Sequence, residues 1–219
     1  MDSSIILVGI GHVFDIGDNI NTIIRTEKPN AIAIELDNQR MQFLYSSDKN
    51  KTYPNLLYRT LALVQNSIAK KFNMTPGSEM KAVIHSAHEN NISLFLIDMD
   101  ARLLLQKLWE SLGLKEKIVL VFSGLFSLLL PRKKIEQEVY SFETNSDEKL
   151  NQLEKTTPKL KRILIDDRNE FMSAKLLRLA KQHEKIIAFV GEGHIPGIIK
   201  LIEKHGITLR VIHLSSLLS

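Results

Sequence analysis

The stretch Lys185-Ile-Ile-Ala-Phe-Val-Gly-Glu-Gly-His-Ile-Pro-Gly197 joins an uninterrupted apolar run to a histidine framed by glycines. Apolar residues at every position, rather than at alternate ones, are what a strand buried on both faces of a parallel sheet requires. The Gly-Glu-Gly-His that follows delivers a polar group where such a strand ends. Ser4-Ile-Ile-Leu-Val-Gly-Ile-Gly-His-Val13 repeats the pattern Val-Gly-x-Gly-His-aliphatic near the other end of the chain. His12 and His194 are therefore expected to leave their strands in the same way. Gly9, Gly11, Gly191 and Gly193 are expected to supply positive φ and close backbone approach at those turns.

Working outward, strand 1 is expected over about Ile5 to Gly9, followed by a helix near Asp18 to Glu27 with Asp15 or Asp18 as N-cap and Pro29-Asn30 as its stop. Ala31-Ile-Ala-Ile-Glu-Leu36 is a second strand, carrying Glu35 and Asp37 at its far end. This is a βαβ opening, whose crossover should be right-handed. A second βαβ unit closes the chain, with strands at Ile186 to Val190 and Ile207 to Leu214 around a short helix from Gly197 to Lys204. The parallel between the halves extends past the histidines and places His213 where the first half has Glu35. Between them lies a largely helical insertion, approximately residues 38–183, interrupted by a strand at 92–97 that runs into Asp98-Met-Asp100. Within it helices are expected over Glu79 to Asn90, Ala101 to about Val139 and Leu160 to His183, with polar loops at Ser46 to Pro54 and Ser141 to Asp147. The expected fold is a single α/β domain over residues 1–219, with a mostly parallel central sheet built from two βαβ-like halves.

The composition, 44% hydrophobic and 25% charged, is that of an ordinary globular protein and argues against disorder. Cysteine is absent, which removes disulfides, thiolate ligands and a thiol nucleophile, and leaves His, Asp, Glu or Asn to hold any metal. No secretion signal is read in the acidic and polar start, and a cytoplasmic location is expected. The longest apolar run, Ile118 to Leu130, is shorter than the roughly 20 residues that span a bilayer. Lys115, Lys117 and Arg132-Lys133-Lys134 flank it, which leaves peripheral contact with an anionic membrane as an alternative to a plain core helix. The net charge is only +4 and aromatic residues make up 6%, so no nucleic-acid partner is expected.

In an open parallel sheet ligands bind beyond the carboxyl ends of the strands. Those ends carry His12, Glu35 with Asp37, Asp98 with Asp100, and His194. Two imidazoles and a carboxylate form a common ligand set for a catalytic divalent ion, and without metal the same groups serve as a general base with its orienting carboxylate. On the helix after Leu160, Asp167 falls near the centre of an apolar stripe and so needs a partner, for instance Arg40 or Arg178, while Arg168 is placed to stabilise an anion facing the histidines. His85 and His88 share a helix turn, but His85 lies opposite the Met80, Val83, Ile84 and Ala87 stripe, which argues against a metal site there. Trp109, Phe122 and Phe126 sit at helical spacings and read as packing residues.

With these residues assembled, the chain resembles the TraB/PrgY family of the Tiki-like superfamily. The resemblance is carried by Val8-Gly-Ile-Gly-His12, Ala33-Ile-Glu-Leu-Asp37 with Arg40, Glu79-Met80 ahead of Asp98-Met-Asp100, Asp167-Arg-Asn-Glu-Phe-Met172 and Val190-Gly-Glu-Gly-His-Ile-Pro-Gly197. It implies a metal-dependent, peptidase-like hydrolase acting on a peptide or other small amide or ester substrate, and in some members the shutdown of peptide pheromone signals. It further implies Mn, Co or Zn held by His12, Glu35 and His194, with Arg168 catalytic and with Arg40, Glu79, Asp98, Asp100, Asp167, Asn169 and Glu192 as substrate-binding or supporting groups. Two departures stand out, since the family usually has Asp-Arg-Asp at Asp98-Met99-Asp100 and Glu-Arg-Asn at Asp167-Arg168-Asn169. The competing readings are a non-catalytic peptide-binding module and a dinucleotide-binding protein. The latter rests on Gly9-x-Gly11 before a helix and Glu35 after strand 2, and fails at Phe14, where a third glycine belongs.

Overall fold

The structure is a computed structural model that describes residues 3–11, 16–45, 77–118 and 146–217. His12, Asp15, Phe122, Phe126, the expected loop at Ser46 to Pro54 and most of the run from Ile118 to Leu130 lie outside the described residues. Five strands, β1 (Ser4–Ile10), β2 (Ala31–Ile34), β3 (Ser93–Leu96), β4 (Lys185–Gly191) and β5 (Thr208–Ile212), form one sheet in the order β3-β2-β4-β1-β5. Every pairing is parallel, with Ile5 opposite both Ile186 and Leu209, and Ala31 opposite both Ile186 and Ser93. The apolar runs take the middle of the sheet. The outer strands β3 and β5 expose Ser93, Thr208 and Arg210, which blunts the open edges against further pairing.

The order shows that the two βαβ halves interlock. The connection from β1 to β2 crosses over β4, and the connection from β4 to β5 crosses over β1 in the opposite direction. Crossovers of one hand that run in opposite directions must lie on opposite faces of the sheet. Accordingly, α1 (Gly17–Glu27) buries Ile20 and Ile24 with α3 (Ser78–Glu89) against Ile6, Val8, Ile32, Ile34 and Phe189. On the other face α7 (Asp167–Leu179) and α8 (Ile195–Ile202) bury Met172, Leu176, Ile198 and Ile202 against Ile5, Leu7, Ala31, Ala33 and Ala188. Strand alternation divides these side chains between the layers one residue at a time.

Several local expectations change. Ile16, with no side-chain cap, holds the N-cap position of α1, and Asp18 lies inside the first turn, where it complements the positive end of the helix dipole. The helix ends at Lys28 in a left-handed conformation before Pro29, as the Pro29-Asn30 stop requires. Ala101 opens α4 (Ala101–Ser111), which breaks at an extended Leu112 rather than running on without interruption. The segment expected as a loop at Ser141 to Asp147 already enters α5 (Ser146–Thr156) at Ser146. The helix expected over Leu160 to His183 is composite. It begins as α6 (Pro158–Lys161), widens to a π-helical turn over Arg162–Asp166 and continues as α7 to Leu179. Trp109 packs against the small cluster of Leu104, Leu108, Leu112 and Ile163, in the packing role read from its spacing.

At the amino-terminal edge of the sheet, Glu27 at the end of α1 accepts from Lys185 Nζ at 2.7 Å and pairs with Arg210, tying α1 to β4 and β5. These hydrogen bonds hold its carboxyl below the ordinary glutamate range. A group depressed in the folded state stabilises the protein above its unfolded pKa, and that contribution disappears as pH falls through the folded value. Glu27→Gln is expected to cost about 0.5–1 kcal/mol at pH 7, the scale of partly exposed ion pairs. The difference from the parent should shrink as pH is lowered below the ordinary glutamate range, as read by urea unfolding over a series of acidic pH values.

Candidate functional site

The carboxyl ends of β2, β3 and β4 bring together groups far apart in the sequence. Glu35 follows β2 directly and its backbone N–H donates to Phe189 O at 3.0 Å, so the ladder to β4 continues one residue beyond the strand. Its carboxylate is buried and turned toward β4, where Oε2 accepts from the Gly191 N–H at 2.6 Å. Oε1 is bound by the Arg168 guanidinium and lies 3.5 Å from His194 Nε2. Asp98, just past β3, accepts from the Met99 N–H at 2.7 Å and from Arg168 Nε at 3.0 Å through Oδ1, and from Arg168 Nη2 at 2.7 Å through Oδ2. Arg168 completes its set by donating from Nη1 to Leu164 O at 3.2 Å. It is thus a buried fork spanning the ends of β2 and β3. Burial opposes its charge, but Glu35 and Asp98 outweigh that and hold its pKa above the ordinary arginine value.

The π-helical turn ends at Asp166, just before Asp167 and Arg168. Such a turn changes the register of the residues after it relative to an unbroken α-helix, and π-turns cluster at functional positions. Here Arg168 faces the strand ends while Asp167 faces away. Asp167 is only half-buried, and it pairs with Lys107 Nζ at 2.5 Å and Arg162 Nε at 3.8 Å, not with Arg40 or Arg178. The uniform helical period that centred Asp167 on the apolar stripe does not hold through a π-turn.

A second arginine enlarges the network. Arg40, in α2 (Asn38–Tyr45), donates to Asp37 Oδ2 at 2.6 Å from Nε, and its Nη2 pairs with Asp98 Oδ2. Asp37 also accepts the N–H groups of Gln39 and Arg40 at 2.8 and 3.0 Å, which starts α2 and anchors it beside the site. Asp100 caps α4 by accepting from Arg102 and Leu103, and its other oxygen accepts from Gln39 Nε2 at 2.9 Å. Lys175, two turns after Arg168, donates to Leu96 O at 2.9 Å, and burial lowers its pKa. Sequence reasoning missed Gln39 and Lys175. The spacing of Lys175 from Arg168 was the available signal for the latter, since positions seven apart share a helix face.

His194 closes a single turn of 3-10 helix, Glu192–His194, which leads into α8. The ring is buried, and Nδ1 lies 2.7 Å from Asn169 Oδ1. An amide oxygen only accepts, so Nδ1 carries the proton and Nε2 presents its lone pair toward Glu35. Burial pushes the imidazole pKa down, which keeps the ring neutral. Asn169 has its own support. A Cβ on Gly197 would stand 2.1 Å from its Nδ2, so α8 reaches α7 this closely only because that position is glycine. The reason for the strand-end glycines also differs from the expectation. Gly191 has φ −57°, and neither it nor Gly9 adopts a positive φ. What they supply is space, since a Cβ on Gly9 would stand 1.8 Å from Glu192 Oε2.

Of the residues expected at the site, Glu35, Arg40, Asp98, Arg168, Asn169 and His194 form one contiguous network, with Asp100 joined through Gln39. Glu192 turns the other way, toward His213. Glu79 is buried in the first turn of α3, at the same end of the sheet, with Ser78 Oγ 3.4 Å from its carboxylate. His85 is exposed, as its helical phase implied, and pairs with Glu89 at 3.2 Å. Among the described residues no helix is long and apolar enough to cross a membrane.

These features define an α/β protein with a doubly wound parallel sheet and a buried carboxylate–arginine–histidine network at its carboxyl edge. β1 and β4, neighbours whose crossovers leave on opposite faces, set the switch-point crevice there. The sequence matches the TraB/PrgY/gumN family over residues 1–211, and the chain belongs to that family. It is also similar to an uncharacterized protein of Methanocaldococcus jannaschii, at 28% identity over 215 residues, covering 93% of this chain. The chain spans about half, 54%, of that relative's length.

Proposed function

We propose that the protein is a metal-dependent hydrolase of small amide or ester substrates, peptides foremost, working at the switch-point crevice. The observation that carries this reading is the 3.5 Å approach of His194 Nε2 to Glu35 Oε1, with His194 Nδ1 fixed by Asn169. Two donors each about 2.0–2.2 Å from one ion, at a near-tetrahedral angle, stand roughly 3.3–3.5 Å apart. A neutral imidazole and a carboxylate suit Mn, Co or Zn, and a ring whose second nitrogen is held by an amide oxygen is the usual outer support of a ligating histidine. The bonds from Gly191 N–H and Arg168 hold the carboxylate in the same sense. Among the described residues no group of three or more such side chains converges, and the third donor in this reading is His12.

Bound there, the ion would supply Lewis acidity and an activated water. The chain's own groups do the positioning. Asn169 fixes the His194 tautomer, while Arg168 aligns Glu35 with Asp98 and offsets their charge. Burial of the network keeps bulk water from screening these interactions.

Purified protein equilibrated separately with Mn²⁺, Co²⁺ and Zn²⁺, then desalted and analysed for metal, should retain about one ion per chain. Asn169→Ala, which leaves both donors in place, should weaken binding by about 10–100-fold, and His194→Ala should abolish it. Thermal unfolding checks that each variant remains folded. Equal retention by the parent and His194→Ala would reject this site, and failure of the loaded parent to release new amino termini from an unstructured peptide mixture would reject peptide hydrolysis.

A further inference from the structure

The two halves of the chain differ in charge at two positions, and those two residues are bonded to each other. In Val8-Gly-Ile-Gly-His12 the residue between the glycines is Ile10, whereas in Val190-Gly-Glu-Gly-His194 it is Glu192. The residue after β2 is Glu35, and its counterpart after β5 is His213. Glu192 starts beyond the end of β4, and His213 lies beyond the end of β5, with β1 between the two strands. The Glu192 carboxylate spans that gap over Gly9. Its Oε1 lies 2.5 Å from His213 Nδ1, and its Oε2 accepts from the Leu214 N–H at 2.9 Å. Glu192 is 7% exposed, whereas the His213 side chain is 57% exposed. A buried carboxylate therefore holds a largely exposed imidazole by its Nδ1.

Desolvating a carboxylate costs free energy, and this one is compensated by a backbone N–H and one histidine. A surface salt bridge would not need a glycine cleared beneath it. The same short turn, Gly191 to His194, binds Glu35 through its N–H and carries both Glu192 and His194, so one turn joins the pair Glu35–His194 to the pair Glu192–His213 at the carboxyl edge of the sheet, where the switch-point crevice lies. We infer that Glu192 and His213 form the general acid–base dyad of this crevice, His213 Nε2 exchanging protons with a substrate lying across the end of β1. The inference rests on the hydrolase reading above.

In amide cleavage the water oxygen bonds to the carbonyl carbon and one of its protons passes to Nε2. The C–N bond then breaks, its electron pair stays on nitrogen, and Nε2 returns that proton to the leaving amine. The second water proton also ends on the amine, so the products are a carboxylate and an ammonium ion, with His213 restored. Glu192 keeps the other ring nitrogen protonated throughout, so that Nε2 is the basic site.

The test joins two measurements on the full chain. Nitrogen-15 NMR should show neutral His213 with its proton on Nδ1, and Glu192→Ala, which removes the acceptor, should release it to the ordinary mixture of tautomers. In parallel, the metal-loaded parent and His213→Gln are assayed on a fluorogenic peptide and on p-nitrophenyl acetate, whose leaving group needs no proton. His213→Gln should lower kcat on the peptide by about 100-fold or more with KM little changed. Its rate on the activated ester should fall much less, because there Nε2 serves only the attack of water and returns no proton to the leaving group. A structural role would move both substrates alike, and that result overturns the inference, as does a parent His213 protonated on Nε2. A parent that binds metal but cleaves neither probe removes the hydrolase reading and this inference together. Peptide cleavage that survives His213→Gln removes only the inference.

Discussion

Replacing Arg168 by Met is expected to lower folding stability by about 3–5 kcal/mol, the cost of leaving buried charge without its partner. The guanidinium makes contact with both oxygens of Asp98 and with Glu35, and its side chain is only 12% exposed. Its removal takes the shared guanidinium from two carboxylates that water reaches poorly. Arg168→Lys should recover only part of the loss, because an ammonium cannot fork between two carboxylates with fixed geometry. Arg40 touches Asp98 as well but is 36% exposed, so Arg40→Met should cost clearly less. Urea unfolding of the three variants at pH 7 checks the order. A loss below about 1 kcal/mol for Arg168→Met would show that the network relaxes around the missing charge.

Phe189→Ala should be comparably severe, at about 3–5 kcal/mol. Phe189 is fully buried in β4, the strand between β1 and β2, and packs with Ile20, Ile24, Ile34 and Val83 on the α1 and α3 face. Its carbonyl accepts the Glu35 N–H, so loosening this position also disturbs the carboxylate end of the site. Phe189→Leu keeps most of the volume and should cost less than half as much. Chemical denaturation with an unchanged denaturant slope would identify both effects as losses of native packing.

Much of the architecture is legible in the chain, for a physical reason. A strand buried on two faces must be apolar throughout, so β1, β2 and β4 announce themselves within about one to two residues at each end. Helix α3 shows its buried face through Met80, Val83 and Ala87. The composite helix around Arg168 was not legible, since no residue type marks a π-turn. The phase error it introduces explains why Asp167 reads as buried when it pairs with Lys107 at the surface.

The candidate site divides in the same way. Which polar groups sit at strand ends follows from local order, because a residue after an apolar run has to emerge at the edge of the sheet. Glu35, Asp98 and His194 are therefore readable without coordinates. Their partners are not, because Arg168 meets Glu35 across 133 positions of chain and His213 meets Glu192 only because β1 runs between β4 and β5. Strand order is a property of non-local pairing, and no residue carries a mark of which neighbour it will have. Thus the repeated Gly-x-Gly-His pattern belongs to the sequence, whereas folding alone interleaved the two halves, made Gly9 and Gly191 sources of space rather than of conformational freedom, and gave Glu35 and Glu192 different histidines as partners.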